Sequence, residues 1–254
     1  MQKDRVGHAS AGVLFVTGGS RGIGAAVASM AARAGYDVAL CYRERADQAA
    51  AVVADIESVG ARALALKVDL SNLDAVVQAF EKIDEFGRLS VLVNNAGIIG
   101  ARLRLQDLEL AMLEQVFRVN TLATLLACRE AVRRMSSEFG GGGGSIINVS
   151  SGAAVTGAPN TYIHYAATKG AMDSLTIGLS KEVGPFGIRV NAVRPGLIAT
   201  DIQADRTSEQ VERMQAMVPL RRFGTAKEVA HSILWLASEA ASYVNGALID
   251  VRGG

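Results

Sequence analysis

The sequence predicts an α/β protein built on one doubly wound parallel sheet of seven strands, with helices on both faces. Three observations carry that expectation. Short apolar, β-branched runs alternate with helical patterns along the whole chain. The composition is 50% hydrophobic but only 5% aromatic, which suits buried strands wrapped by small-residue helices. A length of 254 residues suffices for one large domain with a substantial core.

In chain order, strands are expected at 12–16, 37–41, 63–68, 91–93, 145–149, 189–193 and 247–250. Helical patterns fill 23–33, 45–58, 72–86, 107–138, 161–183 and 226–238. Right-handed crossovers between them give a parallel sheet. The all-glycine run 140–144 reads as a flexible loop before the fifth strand, not as a domain linker. Residues 196–225 break the rhythm: they are longer, more charged and poorly periodic, as a binding segment would be. The chain 1–254 therefore reads as a single domain, with a substrate lid near 197–218.

Several function classes are disfavoured at once. With 26 basic and 25 acidic side chains the charge is balanced, and no basic stripe points to nucleic acid or a membrane surface. No apolar run is long enough to span a bilayer, and Met1-Gln-Lys-Asp-Arg leads into no signal-peptide core. Cys41 and Cys128 are unclustered and lie in apolar surroundings, so buried thiols and a reducing, cytoplasmic compartment are expected. His8, His164 and His231 have no acid or cysteine at ligand spacing, so no metal site is expected.

The first strand runs directly into Thr17-Gly18-Gly19-Ser20-Arg21-Gly22-Ile23-Gly24, followed by an Ala-rich helix. Glycine permits positive φ and lets backbone N–H groups approach a pyrophosphate at a helix N-terminus. The spacing Gly-x3-Gly-x-Gly departs from Gly-x-Gly-x-x-Gly, because Val27 occupies the third glycine position counted from Gly22. What points to a dinucleotide is the placement, after a strand and before a helix. An acid closing the second strand would hold a ribose 2′-hydroxyl, but that end reads Val38-Ala39-Leu40-Cys41-Tyr42-Arg43. Arg21 and Arg43 could instead clamp a 2′-phosphate, so NADP(H) is expected, while the nearby Glu44 keeps NAD possible.

Tyr165-Ala-Ala-Thr-Lys169 places a phenol and an ammonium on one helix face. A lysine there favours the phenolate, lowering a tyrosine pKa that starts near 10 and making a usable proton donor and acceptor. Taken alone, such a pair is common on solvated helices.

Five motifs in register resemble the short-chain dehydrogenase/reductase family over nearly the whole chain. They are the glycine turn, Asp69-Leu70, Asn94-Asn95-Ala96-Gly97, Tyr165-x3-Lys169 and Pro195-Gly196. The resemblance implies a Rossmann fold and reversible hydride transfer between NADP(H) and a carbonyl or secondary alcohol. It further implies that Gly18, Ser20, Arg21, Gly22, Ile23 and Gly24 hold the pyrophosphate side of the cofactor. Asp69 would accept from the adenine amino group, with Leu70 beside it, and Asn95, Ala96 and Gly97 would face the cofactor at the end of the fourth strand, together with Asn94. Pro195, Gly196, Ile198 and Thr200 would anchor the carboxamide.

For catalysis the resemblance implies Tyr165 as general acid, Ser151 orienting the carbonyl, Lys169 tuning Tyr165 and binding ribose, and Asn120 holding a water behind the lysine. From Ser151 to Tyr165 the spacing is 14, one more than usual in the family, which suggests a one-residue insertion around 156–161. Ser150 reads as a structural strand-end hydroxyl. Ala167, Ala171, Leu175 and Leu179 would form a small-residue helix face, implying a homotetramer. The surroundings of Tyr165 and the Asp250-Val-Arg-Gly-Gly254 ending resemble glucose-dehydrogenase-like and 3-oxoacyl-carrier-protein-reductase-like members equally. An NAD-linked sugar or alcohol dehydrogenase is therefore the alternative. A non-catalytic dinucleotide sensor would be expected to lack the tyrosine or the lysine, and both are present. Arg102, Arg104 and Arg206 are available for an anionic group on a small-molecule substrate.

Overall fold

The computed structural model describes residues 11–199 and 207–254. Strand β1 (Val13–Val16) leads through α1 (Gly22–Arg33), β2 (Asp37–Tyr42), α2 (Ala46–Ser58), β3 (Ala63–Lys67) and α3 (Leu73–Phe86) to β4 (Leu89–Asn94). The second half runs α4 (Leu110–Phe117), α5 (Ala123–Met135), β5 (Gly144–Val149), α6 (Ala153–Thr156), α7 (Ile163–Val183) and β6 (Ile188–Pro195). It ends with β7 (Ile198–Ala199), α8 (Ser208–Ala216), β8 (Gly224–Thr225), α9 (Ala226–Ala237) and β9 (Leu248–Val251). The seven-stranded sheet has the order β3-β2-β1-β4-β5-β6-β9, and β7 pairs with β8 in a separate ribbon. Every pairing is parallel, with Val16 opposite Leu40 on one side and Val93 on the other.

The central β1 is apolar and buried throughout because both faces are covered, whereas the edge strands β3 and β9 are only partly buried. Alternate side chains feed two cores. Leu14, Val16, Leu40, Val93 and Ile147 pack beneath Val27 and Ala28 of α1 and Ile233 of α9. Phe15, Ala39, Leu92 and Ile146 pack against Phe80 and Ile83 of α3 and Ala127 and Ala131 of α5. Phe15 and Phe80 meet edge to face with centroids 5.4 Å apart, an arrangement that favours the ring quadrupoles. Caps settle the helix starts: the Asn72 carboxamide oxygen accepts from the N–H groups of Asp74 and Ala75 at the head of α3. Thr225 and Glu228 form a reciprocal box at the head of α9. No helix among the described residues is long and apolar enough to cross a membrane.

Two expectations need correction. The helix expected over 107–138 is broken into α4, a widened π-turn at Arg118–Leu122 and α5, so the apolar periodicity hid a change of pitch. The segment expected to be irregular contains α8, started by a Thr207–Gln210 capping box. Of the small-residue face of α7, Ala167 is exposed and Ala171, Leu175 and Leu179 are half-buried, with Leu175 and Leu179 packed against the core. What α7 buries is Thr168, Lys169, Met172, Asp173, Thr176 and Ser180, a largely polar stripe without helical hydrophobic periodicity to announce it.

Candidate active site

Strand order reverses between β1 and β4, and open α/β sheets bind ligands in the crevice outside such a point. A cavity of about 890 Å³ lies there, reaching from Arg43 and Arg45 at one end to Ser151 and Tyr165 at the other. Its length brings together side chains from the carboxyl ends of six strands.

The dinucleotide half is built from the turn after β1. Gly18 and Gly22 take φ of +65° and +55°, values that glycine adopts without strain. A Cβ on Gly24 would stand 2.2 Å from the Gly18 carbonyl oxygen, so the helix can approach the turn only with glycine there. Gly24 itself packs behind the cavity, whereas Gly18, Ser20, Arg21, Gly22 and Ile23 line it. No side chain caps α1 and its first turn holds no acid, leaving N–H groups and the positive end of the helix dipole for an anion. These features fit a dinucleotide pyrophosphate.

Asn95 braces this turn. Its side-chain amide donates to the carbonyls of Thr17 at 2.9 Å and Gly18 at 3.2 Å. The Thr17 hydroxyl accepts in return from the N–H groups of Asn95 and Ala96, each at 3.0 Å. Ala96 and Gly97 line the cavity beside Asn95. Asn94, expected to face the cofactor, instead turns into the core, donating to Asn148 at 2.9 Å and Cys128 at 3.3 Å. The alternation of a strand sends neighbouring asparagines to opposite sides.

At the outer end, Arg21 and Arg43 are exposed at the rim, and Arg43 pairs with Glu44 at 2.6 Å. Asp69 and Leu70 line the wall, and hydrogen bonds from Ser71 hold the Asp69 carboxyl below the usual carboxylate range. Tyr42, Arg45 and Gln48 also line this end and were not anticipated. Their signal was their position from the end of β2 to the first turn of α2, the same stretch that holds Arg43.

At the reactive end, the Tyr165 ring is half-buried in the first turns of α7, with Lys169 Nζ 5.6 Å from its centroid. Lys169 is buried, and its ammonium donates to the Val149 carbonyl at 2.7 Å. Burial pushes the ammonium down to about 8, with Asp173 opposing the shift. Burial also pushes the Tyr165 hydroxyl above its usual value, while a hydrogen bond with Ser151 pulls it back. The expected lowering of Tyr165 by the lysine is not found in the protein alone, where desolvation raises it and only Ser151 acts in the other direction. The Ser151 oxygen accepts from the Ala153 N–H at 3.1 Å, which orients the hydroxyl at the mouth of β5. Ser150 has the structural part expected of it, donating to the Lys169 carbonyl at 3.2 Å.

Asn120 is fully buried in the π-turn rather than on the cavity wall. Its amide oxygen accepts from the Ile98 N–H at 2.8 Å, and its amide nitrogen donates to the Ile98 carbonyl at 2.8 Å and the Thr168 hydroxyl at 3.1 Å. These three bonds tie the Asn120 side chain to Ile98 and to Thr168, the residue before Lys169. A Cβ on Gly97 would meet Asn120 Oδ1 at 3.3 Å and Lys169 Nζ at 3.5 Å, so glycine lets the three elements converge.

Ile98, Ile99, Tyr162, Leu197 and Met214 complete the substrate side, with Pro195, Gly196 and Ile198 beneath. The Ser151–Tyr165 connection holds α6 and then a tight loop in which Ala158 and Asn160 take φ of +42° and +59°. That backbone cost falls within the stretch where an extra residue is expected. Arg102 and Arg104 are exposed and off the cavity wall, while His8, Thr200 and Arg206 lie outside the described residues.

Comparison with known proteins agrees with this geometry. The family model described as enoyl-(acyl carrier protein) reductase matches residues 18–254. The chain is 45% identical over 244 residues to the uncharacterized oxidoreductase YgfF of Escherichia coli (strain K12), covering 95% of this chain and 99% of that one. It is 38% identical to an L-rhamnose 1-dehydrogenase (NAD(P)(+)) of Sphingomonas sp. (strain SKA58), covering 95% and 94% of the two chains. A short chain dehydrogenase from Burkholderia cenocepacia J2315, solved in complex with NADP, superposes with a TM-score of 0.88 at 37% identity, over 95% of this chain and 96% of that one. The chain belongs to the short-chain dehydrogenase/reductase family and is an NAD(P)-dependent oxidoreductase.

Proposed function

We propose that the protein transfers a hydride between NADP(H) and the carbonyl or secondary-alcohol carbon of a small molecule, with Tyr165 as general acid and base. The observation that carries this reading is the convergence of Ser151, Tyr165 and Lys169 at one end of a dinucleotide-sized crevice. NADP(H), when bound, supplies or accepts the hydride. In reduction, Tyr165 donates its phenolic proton to the substrate oxygen, and in oxidation it takes that proton back. Ser151, whose oxygen is held by the Ala153 N–H, turns its hydrogen from the Tyr165 hydroxyl to the substrate oxygen as charge gathers there. Lys169 sets a positive charge behind the phenol, stabilising phenolate character, and offers its ammonium to the ribose. Asn120 acts through Ile98 and Thr168, fixing the turn against which Lys169 rests.

NADP(H) rather than NAD(H) is supported by the absence of an acid closing β2 and by Arg21 and Arg43 at the rim. A sugar or alcohol as substrate is the second reading, favoured by the L-rhamnose 1-dehydrogenase relative. Assembly as a homotetramer belongs to the same proposal, supported by the exposed Phe117, Leu122, Leu125 and Ile177 on the adjoining α4, π-turn, α5 and α7.

A panel of aldehydes, β-keto esters and sugars, each assayed with both cofactors, identifies a working substrate. On that substrate Tyr165→Phe is expected to lose at least about a hundredfold in turnover while NADPH binding stays within about twofold. Substantial surviving activity rejects the assignment of Tyr165.

Arg43→Ala should weaken NADPH binding about tenfold and leave NADH binding nearly unchanged, as a lost charge-assisted contact to a 2′-phosphate would. Equal or tighter wild-type binding of NADH overturns the preference.

Lys169 gives a pH signature. Its folded value of about 8 lies below the ordinary lysine value, so between the two the unfolded chain holds the extra proton and wild-type stability rises with pH. Lys169→Met lacks that dependence. The melting-temperature advantage of Lys169→Met at pH 7 should therefore shrink as the pH is raised through about 8 toward 10. A constant difference would mean that the ammonium is not buried. Light scattering that returns any mass other than four chains removes the tetramer from the proposal.

A further inference from the structure

The polypeptide leaving β4 passes over the substrate side of the cavity, where Ile98 and Ile99 face the space beside Tyr165. Nothing in its own sequence would hold it there, since it lacks the hydrogen bonds of a strand or helix. Three contacts tie it down. Asn120 grips both backbone groups of Ile98 at 2.8 Å. The Leu103 N–H donates to the Thr161 carbonyl at 3.0 Å. Between these two, His164 Nε2 lies 2.9 Å from the Ile99 carbonyl oxygen.

His164 directly precedes Tyr165 and is only 3% exposed. A carbonyl oxygen can only accept, so Nε2 carries the proton and donates. Nδ1 is then an acceptor, and it is buried with no hydrogen-bond partner. A purely structural site at a helix start would favour an apolar residue over a ring that leaves one nitrogen unmatched. Gly100 presses on the same ring with φ of +78°: a Cβ there would stand 2.8 Å from Nε2 and 3.0 Å from the Met112 sulfur. The imidazole thus fills the space between the wall, α4 and the first turn of α7, and its one hydrogen bond is spent on the wall.

We infer that His164 is a positioning residue for the substrate, pinning the Ile98–Ile99 wall of the cavity to the helix that carries Tyr165. The inference rests on the hydride-transfer reading of the site. A rigid link of this kind sets the distance between the substrate-facing side chains and the proton donor, so its loss shows in substrate binding before it shows in chemistry. The occupant it serves is the small carbonyl compound or alcohol of the proposed reaction.

The test compares His164→Leu, which keeps bulk but has no donor, with His164→Gln, whose side-chain N–H can occupy the place of Nε2. Hydrogen–deuterium exchange of the peptide spanning 98–104 is expected to accelerate in His164→Leu and to return toward wild type in His164→Gln, with the β1 peptide unchanged in both. With ethyl acetoacetate, or whichever panel member wild type reduces, KM should rise about fivefold in His164→Leu, as one lost hydrogen bond implies, while kcat and the NADPH dissociation constant move less than twofold. Recovery of both exchange and KM in His164→Gln supports pinning through the donor. Unchanged exchange and KM in His164→Leu, or no recovery in His164→Gln, overturns the inference while leaving the assignment of Tyr165 intact. Wild-type inactivity across the whole panel would instead overturn the hydride-transfer reading, and the exchange data alone would then decide whether His164 pins the wall.

Discussion

The docking of α7 on the ends of β5 and β6 is the constraint on which the site depends. A helix normally packs through an apolar stripe, whereas this one buries a lysine, an aspartate, two threonines and a serine. Three of these are answered from β5 and β6: Lys169 by the Val149 carbonyl, Asp173 through one carboxylate oxygen by Arg194 at 2.8 Å, and Thr176 by the Asn148 amide at 2.9 Å. Ser150 adds a bond to the Lys169 carbonyl. Directional bonds of this kind set rotation and height more tightly than apolar contact does, because a slipped register would leave buried polar groups unmatched. Tyr165 sits on that helix, so its place in the crevice follows.

The opposite wall is held by a similar logic at a different scale. Asn95 and Thr17 exchange bonds across the point where strand order reverses, locking the glycine turn to the end of β4. Gly24 permits the close approach, and the uncapped start of α1 is left facing the crevice. The cofactor half is therefore rigid and built from backbone. The substrate half is built from connections, the 98–104 and 152–162 stretches, which touch through Leu103 and Thr161. Rigid recognition of a common cofactor beside an adaptable wall is how one fold serves many substrates.

Much of this was legible in the residues. The seven strands of the main sheet were readable within two residues because short apolar, β-branched runs mark them, while the two-residue β7 and β8 carry no such run. The glycine turn, Ser151, Tyr165 and Lys169, singled out from motif and resemblance, do line one cavity. The long helix over 107–138 was misread because a π-turn changes pitch without changing apolar spacing enough to show. The polar residues that α7 buries were not legible as buried, because polar residues carry no burial signal until their partners are known.

The sequence by itself determined the fold class and the order of the main elements, and it pointed to the glycine turn and to the Tyr165–Lys169 pair as a candidate site, since local periodicity, glycine chemistry and i, i+4 spacing are written in the chain. Only the tertiary structure decided that Asn94 faces the core while Asn95 braces the turn, that Asn120 is committed to Ile98, that burial governs the titration of Tyr165 and Lys169, and that His164 reaches the wall. Those outcomes depend on groups brought together from distant parts of the chain, and desolvation and hydrogen-bond satisfaction have no value until those partners meet.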